Sequence, residues 1–197
     1  MSRLNLAFDK FDEYNRRDPV TYTHDGEQFP QEYFLAMKLY EWVKKLSTEP
    51  SEELLLASRS QHIGRWEIPR SQYPEGRTGY LNWRRDLAKF HADKAAGILK
   101  EVGYREDEIE RVQELILKKK IKVDPEVQLL ENALCLVFLE FQYEDFFPKY
   151  EPEKIVNILR KSLLKMDETG HRHALTLNYS EGGFGHIEAA LQLISKD

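Results

Sequence analysis

Three observations predict an all-α fold for this chain of 197 residues. Apolar residues recur at helical spacing along most of its length. Serine, threonine and aspartate sit where helix starts would need capping. Proline and glycine cluster between the periodic stretches rather than inside them.

The elements follow in order. Leu4, Ala7, Phe8 and Phe11 predict a short amphipathic helix that must stop before Pro19. Residues 15–28 are polar and turn-rich. A second helix is predicted from about Pro30 to Lys45, with Phe34, Met37, Leu39, Trp42 and Val43 apolar and proline tolerated in its first turn. Ser51 reads as the cap of a third, from Glu52 to about Ile63, with two acids where the macrodipole favours them. Pro69, Pro74, Gly76 and Gly79 make 68–79 a loop, and Thr78 is the expected cap of a long helix ending at Val102 before Gly103. Glu106 to Lys119 is a fifth helix. Asp124-Pro125-Glu126 opens a sixth that runs to about Gln142 and is apolar nearly all round, with Glu131 and Asn132 as its polar members. Two more helices are expected at 153–164 and 184–194, and His171 to Tyr179 alternates as an extended segment or loop would. No linker divides the chain, so the expectation is one compact multi-helix domain.

Composition narrows the function classes. With 41% hydrophobic and 32% charged residues the chain reads as an ordinary soluble globular protein. A net charge of −5 provides no global field for nucleic acid and argues against it as a partner. The sole cysteine, Cys135, lies in an apolar run and reads as inert packing. No leader is recognisable at the start, and no apolar run approaches the roughly 20 residues a membrane helix needs. The expected location is cytoplasmic.

The chemistry concentrates in two clusters: Ser58 to Trp66, and Trp83-Arg84-Arg85 with Phe90-His91-Ala92. Histidine, tryptophan and several arginines crowded at a helix end cost free energy to bury unless each finds a partner, so they suggest a polar cavity. Arg84, Ala88 and His91 fall at i, i+4 and i+7, one face of a helix. Arg59, Arg65 and Arg84 are candidate forks for phosphate or carboxylate. Trp66 and Trp83 are candidates for an aromatic wall, with Trp66 the one assigned to the pocket. Glu32, His62, His91 and the pair Glu131-Asn132 lie on four helices, the way helical bundles bring metal ligands or acid–base groups together. Taken singly, each also reads as structure: histidines bonded to backbone carbonyls, or an acid in a helix's first turn.

Resemblance adds to this. Ser58-Arg-Ser-Gln-His-Ile-Gly-Arg-Trp-Glu-Ile-Pro-Arg70, Gly79-Tyr-Leu-Asn-Trp-Arg84, Phe90-His-Ala92 and Leu130-Glu-Asn-Ala-Leu-Cys-Leu-Val-Phe-Leu-Glu140 are similar to the uncharacterised domain-of-unknown-function family 4202, over Pro30 to Phe147. A more distant resemblance is to the HD superfamily, all-α metal-dependent phosphohydrolases. Leu54 to Gly64 resembles the helix that ends there in His-Asp-Ile-Gly, His91 the later histidine, and Glu131-Asn-Ala-Leu134 the final acidic element. Three positions depart: Gln61-His62 replaces His-Asp, Glu32 replaces a histidine, and Asn132 replaces an aspartate. The resemblance implies an HD-like core over about 28–147 with a C-terminal extension over 148–197. It implies a hydrolase of a small anionic, phosphorylated metabolite, with His62, His91 and Glu131 catalytic. Arg59, Arg65, Trp66 and Arg84 would bind substrate, and Glu32, His62, His91 and Glu131 would hold Mn, Fe, Zn or Ni. The alternative is a non-catalytic anion-binding or interaction module that kept the pocket after losing the metal.

Overall fold

The computed structural model describes residues 2–195. The fold is all-α: ten α-helices and one two-stranded hairpin are present among these residues. The chain clusters into two compact units, Met1–Lys119 and Lys120–Asp197. The division falls inside the stretch from about 28 to 147 that the sequence reading kept together.

The first unit holds α1 (Arg3–Asn15), the hairpin β1 (Thr21–His24) and β2 (Glu27–Pro30), α2 (Gln31–Leu46), α3 (Glu52–Ser60), α4 (Gly76–Val102) and α5 (Glu106–Ile116). Helix α1 packs on α3 and α4, α2 on α3, and α5 on both α3 and α4. Their shared core includes Phe11, Leu54, Leu56, Leu87, Leu99 and Leu115, all essentially inaccessible to solvent. Ser51 caps α3 as expected, its Oγ accepting from Leu54 N at 3.1 Å.

Two local expectations are corrected. The segment read as polar and turn-rich holds most of the hairpin, which runs on to Pro30 and is closed by Asp25 (φ 51°) and Gly26 (φ 81°). An Asp-Gly pair with both residues in the left-handed region is a favoured hairpin turn, so the signal was present. Tyr22 of β1 stacks on Phe34 of α2 at 4.7 Å between ring centroids, which ties the hairpin down. Helix α4 begins at Gly76 and not after Thr78, and no side chain caps it. It is fixed instead by a close approach: a Cβ on Gly79 would stand 1.9 Å from the carbonyl oxygen of Pro74, so only glycine lets the loop lie there.

The second unit holds α6 (Pro125–Phe141), α7 (Tyr143–Phe146), α8 (Pro152–Leu163), α9 (Glu168–Ala174) and α10 (Glu181–Ile194). Asp124 caps α6, accepting from Glu126 N and Val127 N. Helix α6 lies against α7 and α9, and α8 pairs with α10. The stretch from His171, expected to be extended or loop, opens inside α9. Asp167 caps that helix through Gly170 N at 3.0 Å, and the His171 ring is tied to Leu163 O at 2.7 Å. The alternation there carried no strand. Among the described residues no helix is long and apolar enough to cross a membrane.

Candidate functional site

The turn after α3 carries the most chemistry in the chain, and three helices hold it in place. Gln61 Nε2 donates to Ile116 O at the end of α5, at 3.0 Å. The His91 ring on α4 lies 2.7 Å from Ile63 O through Nδ1. Because a carbonyl can only accept, Nδ1 carries the proton and Nε2 is left as the bare nitrogen. Asn15 at the end of α1 accepts from Gly64 N at 3.4 Å. Gly64 has φ 69°, and an added Cβ would meet Glu67 Oε1 at 2.9 Å, Phe90 at 3.0 Å and Tyr14 at 3.1 Å. Backbone conformation and crowding therefore both demand glycine here.

A cavity of about 230 Å³ opens beside this turn. Gln61, His62 and Arg65 line it from the turn, and Arg84, Arg85, Leu87, Ala88 and His91 from α4. Ile116, Leu117 and Lys118 close it from the end of α5. Lys118 sits in the left-handed region (φ 56°), a backbone conformation a non-glycine residue adopts only at a cost. The sequence-predicted face of Arg84, Ala88 and His91 is thus brought to one wall.

Behind His62 and Arg65 lies Glu32, whose side chain is only 4% exposed. Its place follows from Asp18, a buried residue whose carboxylate accepts from Glu32 N at 2.9 Å and so caps α2 from a distance. Glu32 Oε1 stands 3.7 Å from Arg65 Nε and Oε2 4.0 Å from His62 Nδ1. Burial pushes the Glu32 carboxyl up to about 7; Arg65 opposes the rise, and the Asp18 carboxylate adds to it. Burial pushes His91 down to about 4, with Arg65 and Arg84 repelling its proton against the pull of the Ile63 carbonyl. His62 is held well below its ordinary value by burial, then by Arg65, His91, Lys118 and Arg84. Both imidazoles are therefore neutral near pH 7. The His62 and His91 rings stand 5.6 Å apart between centroids.

The charge balance of the cavity is positive. Arg65 lies over the Trp83 ring at 5.2 Å, and Trp83 Nε1 donates to Ile68 O at 2.9 Å, which fastens the loop. Arg85 pairs with Asp86 at 3.1 Å. Arg84 has no carboxylate partner among the described residues. A larger groove of about 640 Å³ lies between α1 and α4, but its lining balances the cations Lys10, Arg17 and Lys94 with the acids Glu13, Asp93 and Glu101. There Lys10 pairs with Glu101 at 2.9 Å, Arg17 with Glu13 at 2.8 Å, and Lys94 Nζ meets Tyr14 Oη at 2.7 Å. The smaller cavity is the one with charge left to offer.

Two further expected site residues of the first unit lie outside the cavity lining, and a third belongs to the second unit. Arg59 is buried against Asp12 and over the rings of Phe8 and Tyr40, outside the cavity lining. Trp66 packs beside Tyr14 at 5.9 Å, and Trp83 is the indole that meets Arg65. Glu131 belongs to the second unit, where Lys165 stands 3.5 Å from it. Its neighbour Asn132 has a structural task there: its Oδ1 accepts from Gln128 Nε2 at 3.0 Å and Asp167 N at 3.1 Å, and its Nδ2 donates to Asp167 Oδ1 at 2.8 Å. Gln61 and Arg85 are lining residues that lay within the two sequence clusters without an assigned role, and Lys118 lay outside them. Nothing in a run of lysines after a helix says which of them turns inward.

The expected metal ligands are not assembled. Among the described residues no three histidine, cysteine, aspartate or glutamate side chains gather as ligands would. Glu32 already has the Arg65 guanidinium as its counter-ion. That donor set does not fit a divalent cation. It fits an anion.

No curated protein and no solved structure matches the chain. A family model described as a domain of unknown function (DUF4202) matches residues 5–185, nearly the whole sequence, and the chain belongs to that family.

Proposed function

We propose that the first unit binds a small anionic metabolite of the phosphate type in the cavity between the 61–65 turn, α4 and the end of α5. The observation that carries this reading is the convergence of Arg65, Arg84, Arg85 and Lys118 on one small cavity, with Arg84 lacking a carboxylate partner among the described residues. Guanidinium forks match tetrahedral oxyanions in two-point contacts, and a partly enclosed site strengthens each contact.

The same geometry favours hydrolysis as the activity. His62 is neutral near pH 7, so it can take a proton from water at the cavity wall, and Glu32 behind it can hold that charge. Arginines around the anion would stabilise charge that builds in the transition state. The distant resemblance of the sequence to HD-type phosphohydrolases would put a site after α3 and on α4, but the chemistry proposed runs through protein side chains, not through a metal. Elemental analysis of protein purified without a tag or chelator tests that point: near-stoichiometric metal lost in both His62→Ala and His91→Ala variants would contradict it.

Activity is tested by screening small phosphomonoesters for phosphate release with the wild type, His62→Gln and Arg84→Ala. Release abolished in both variants is the expected result. Binding that needs Arg84 with no turnover of any ester would favour the second reading, a non-catalytic anion-binding module. Neither binding nor turnover would overturn the proposal.

A further inference from the structure

The cavity presents bare acceptors as well as cations. Gln61 spends its amide N–H on Ile116 O, and this fixes which way the amide faces. Its Oε1 is buried with no hydrogen-bond partner. His91 spends its Nδ1 proton on Ile63 O, and its bare Nε2 is likewise buried and unpartnered. Both residues line the cavity. Behind them Glu32 Oε2 is a third buried acceptor without a hydrogen bond. Gln61, His91 and Glu32 are each less than 5% exposed, so bulk water does not serve them. Buried acceptors left unpaired are costly, and their gathering at one site calls for a partner that donates.

Resting on the anion-binding reading, we infer that the ligand is an oxyanion that keeps an acidic hydroxyl, as hydrogen phosphate does, and not a fully aprotic one such as sulfate. The arginines take the charged oxygens, and the hydroxyl gives its one hydrogen to an acceptor on the cavity wall, Gln61 Oε1 or His91 Nε2. Sulfate has the same shape and charge but no hydrogen to give. It would leave the acceptors unpaired and set its oxygens against them. Discrimination of this kind, by a polar group the wrong ligand cannot satisfy, is stronger than discrimination by size.

The test is titration calorimetry of the whole chain with inorganic phosphate and with sulfate near pH 8, where the Glu32 carboxylate is charged. Phosphate should bind at least about tenfold more tightly than sulfate, the factor expected from one unsatisfied buried acceptor. Gln61→Leu and His91→Phe each remove an acceptor from the cavity wall while leaving the arginines. Each should narrow the phosphate-to-sulfate ratio. Equal affinity of the wild type for the two anions would overturn the inference while leaving the anion site standing. A preference for phosphate that neither variant narrows would overturn it as well, because the acceptors named would not be its source. Failure of both anions to bind would overturn the anion site itself, and this inference with it.

Discussion

Glu32 is the residue whose removal says most about the site, since its carboxyl is buried beside a cavity rich in positive charge. Its folded-state value of about 7 lies above the ordinary 4.5, with burial as the largest cause. For a carboxyl raised in this way, the folded state binds the proton more tightly than the unfolded chain does. Its contribution to stability is therefore intact below pH 4.5 and is lost as pH rises through 7. A shift of that size corresponds to about 3 kcal/mol in full, of which about 2.5 kcal/mol develops between pH 5 and pH 8. Glu32→Gln keeps the shape and removes the titration. The variant should gain about 2.5 kcal/mol on the wild type between those two pH values, whatever constant offset the substitution brings. The assay is urea unfolding followed by tryptophan fluorescence. Trp42, Trp66 and Trp83 all lie in the first unit, so the signal reports on that unit alone. A difference between variant and wild type that does not change with pH would refute the burial and charge argument made for Glu32.

His91 titrates in the opposite sense: its value of about 4 lies below 6.5, so its contribution is present above pH 6.5 and lost as pH falls through 4. His91→Gln, which can still donate to Ile63 O, should blunt the acid-induced loss of tryptophan signal by up to about 3 kcal/mol. Gly64→Ala should destabilise the first unit by about 1–3 kcal/mol in thermal unfolding, through backbone strain and contact with Phe90 and Tyr14. Asn132→Asp would set a carboxylate against Asp167 and remove a donor. A loss of about 2–4 kcal/mol in the second unit, read from backbone amide exchange of α6, is expected. No change there would contradict the structural role given to Asn132.

Helix positions and the cavity wall on α4 were legible in the sequence because both depend on local periodicity. Arg84, Ala88 and His91 share a face by helical spacing alone, and all three line the cavity. Long-range pairing was not legible. Arg59 looks like a free anion-binding fork until Asp12, far away in sequence on α1, is seen to take it. Glu131 and Asn132 looked like site residues because polar groups in an apolar helix demand partners. Those partners are Lys165 and Asp167, both from the short connection between α8 and α9. Lys118 enters the lining through a left-handed turn at the end of α5, a conformation that lysine does not announce. The hairpin was missed for a different reason: its Asp-Gly turn was visible, but four-residue strands are too short to show a period.

The central claim is that Arg84, with the 61–65 turn and the end of α5, forms an anion site. Its most direct test is a titration of isotopically labelled wild type and Arg84→Ala with inorganic phosphate, read by backbone amide shifts. Arg84 is exposed, so the variant should keep its stability within about 0.5 kcal/mol and give a comparable spectrum. The account predicts saturable shifts confined to residues 61–65, 84–91 and 116–118 in the wild type, and their loss in the variant. Saturable shifts centred elsewhere, or shifts at these residues that survive the removal of Arg84, would contradict it.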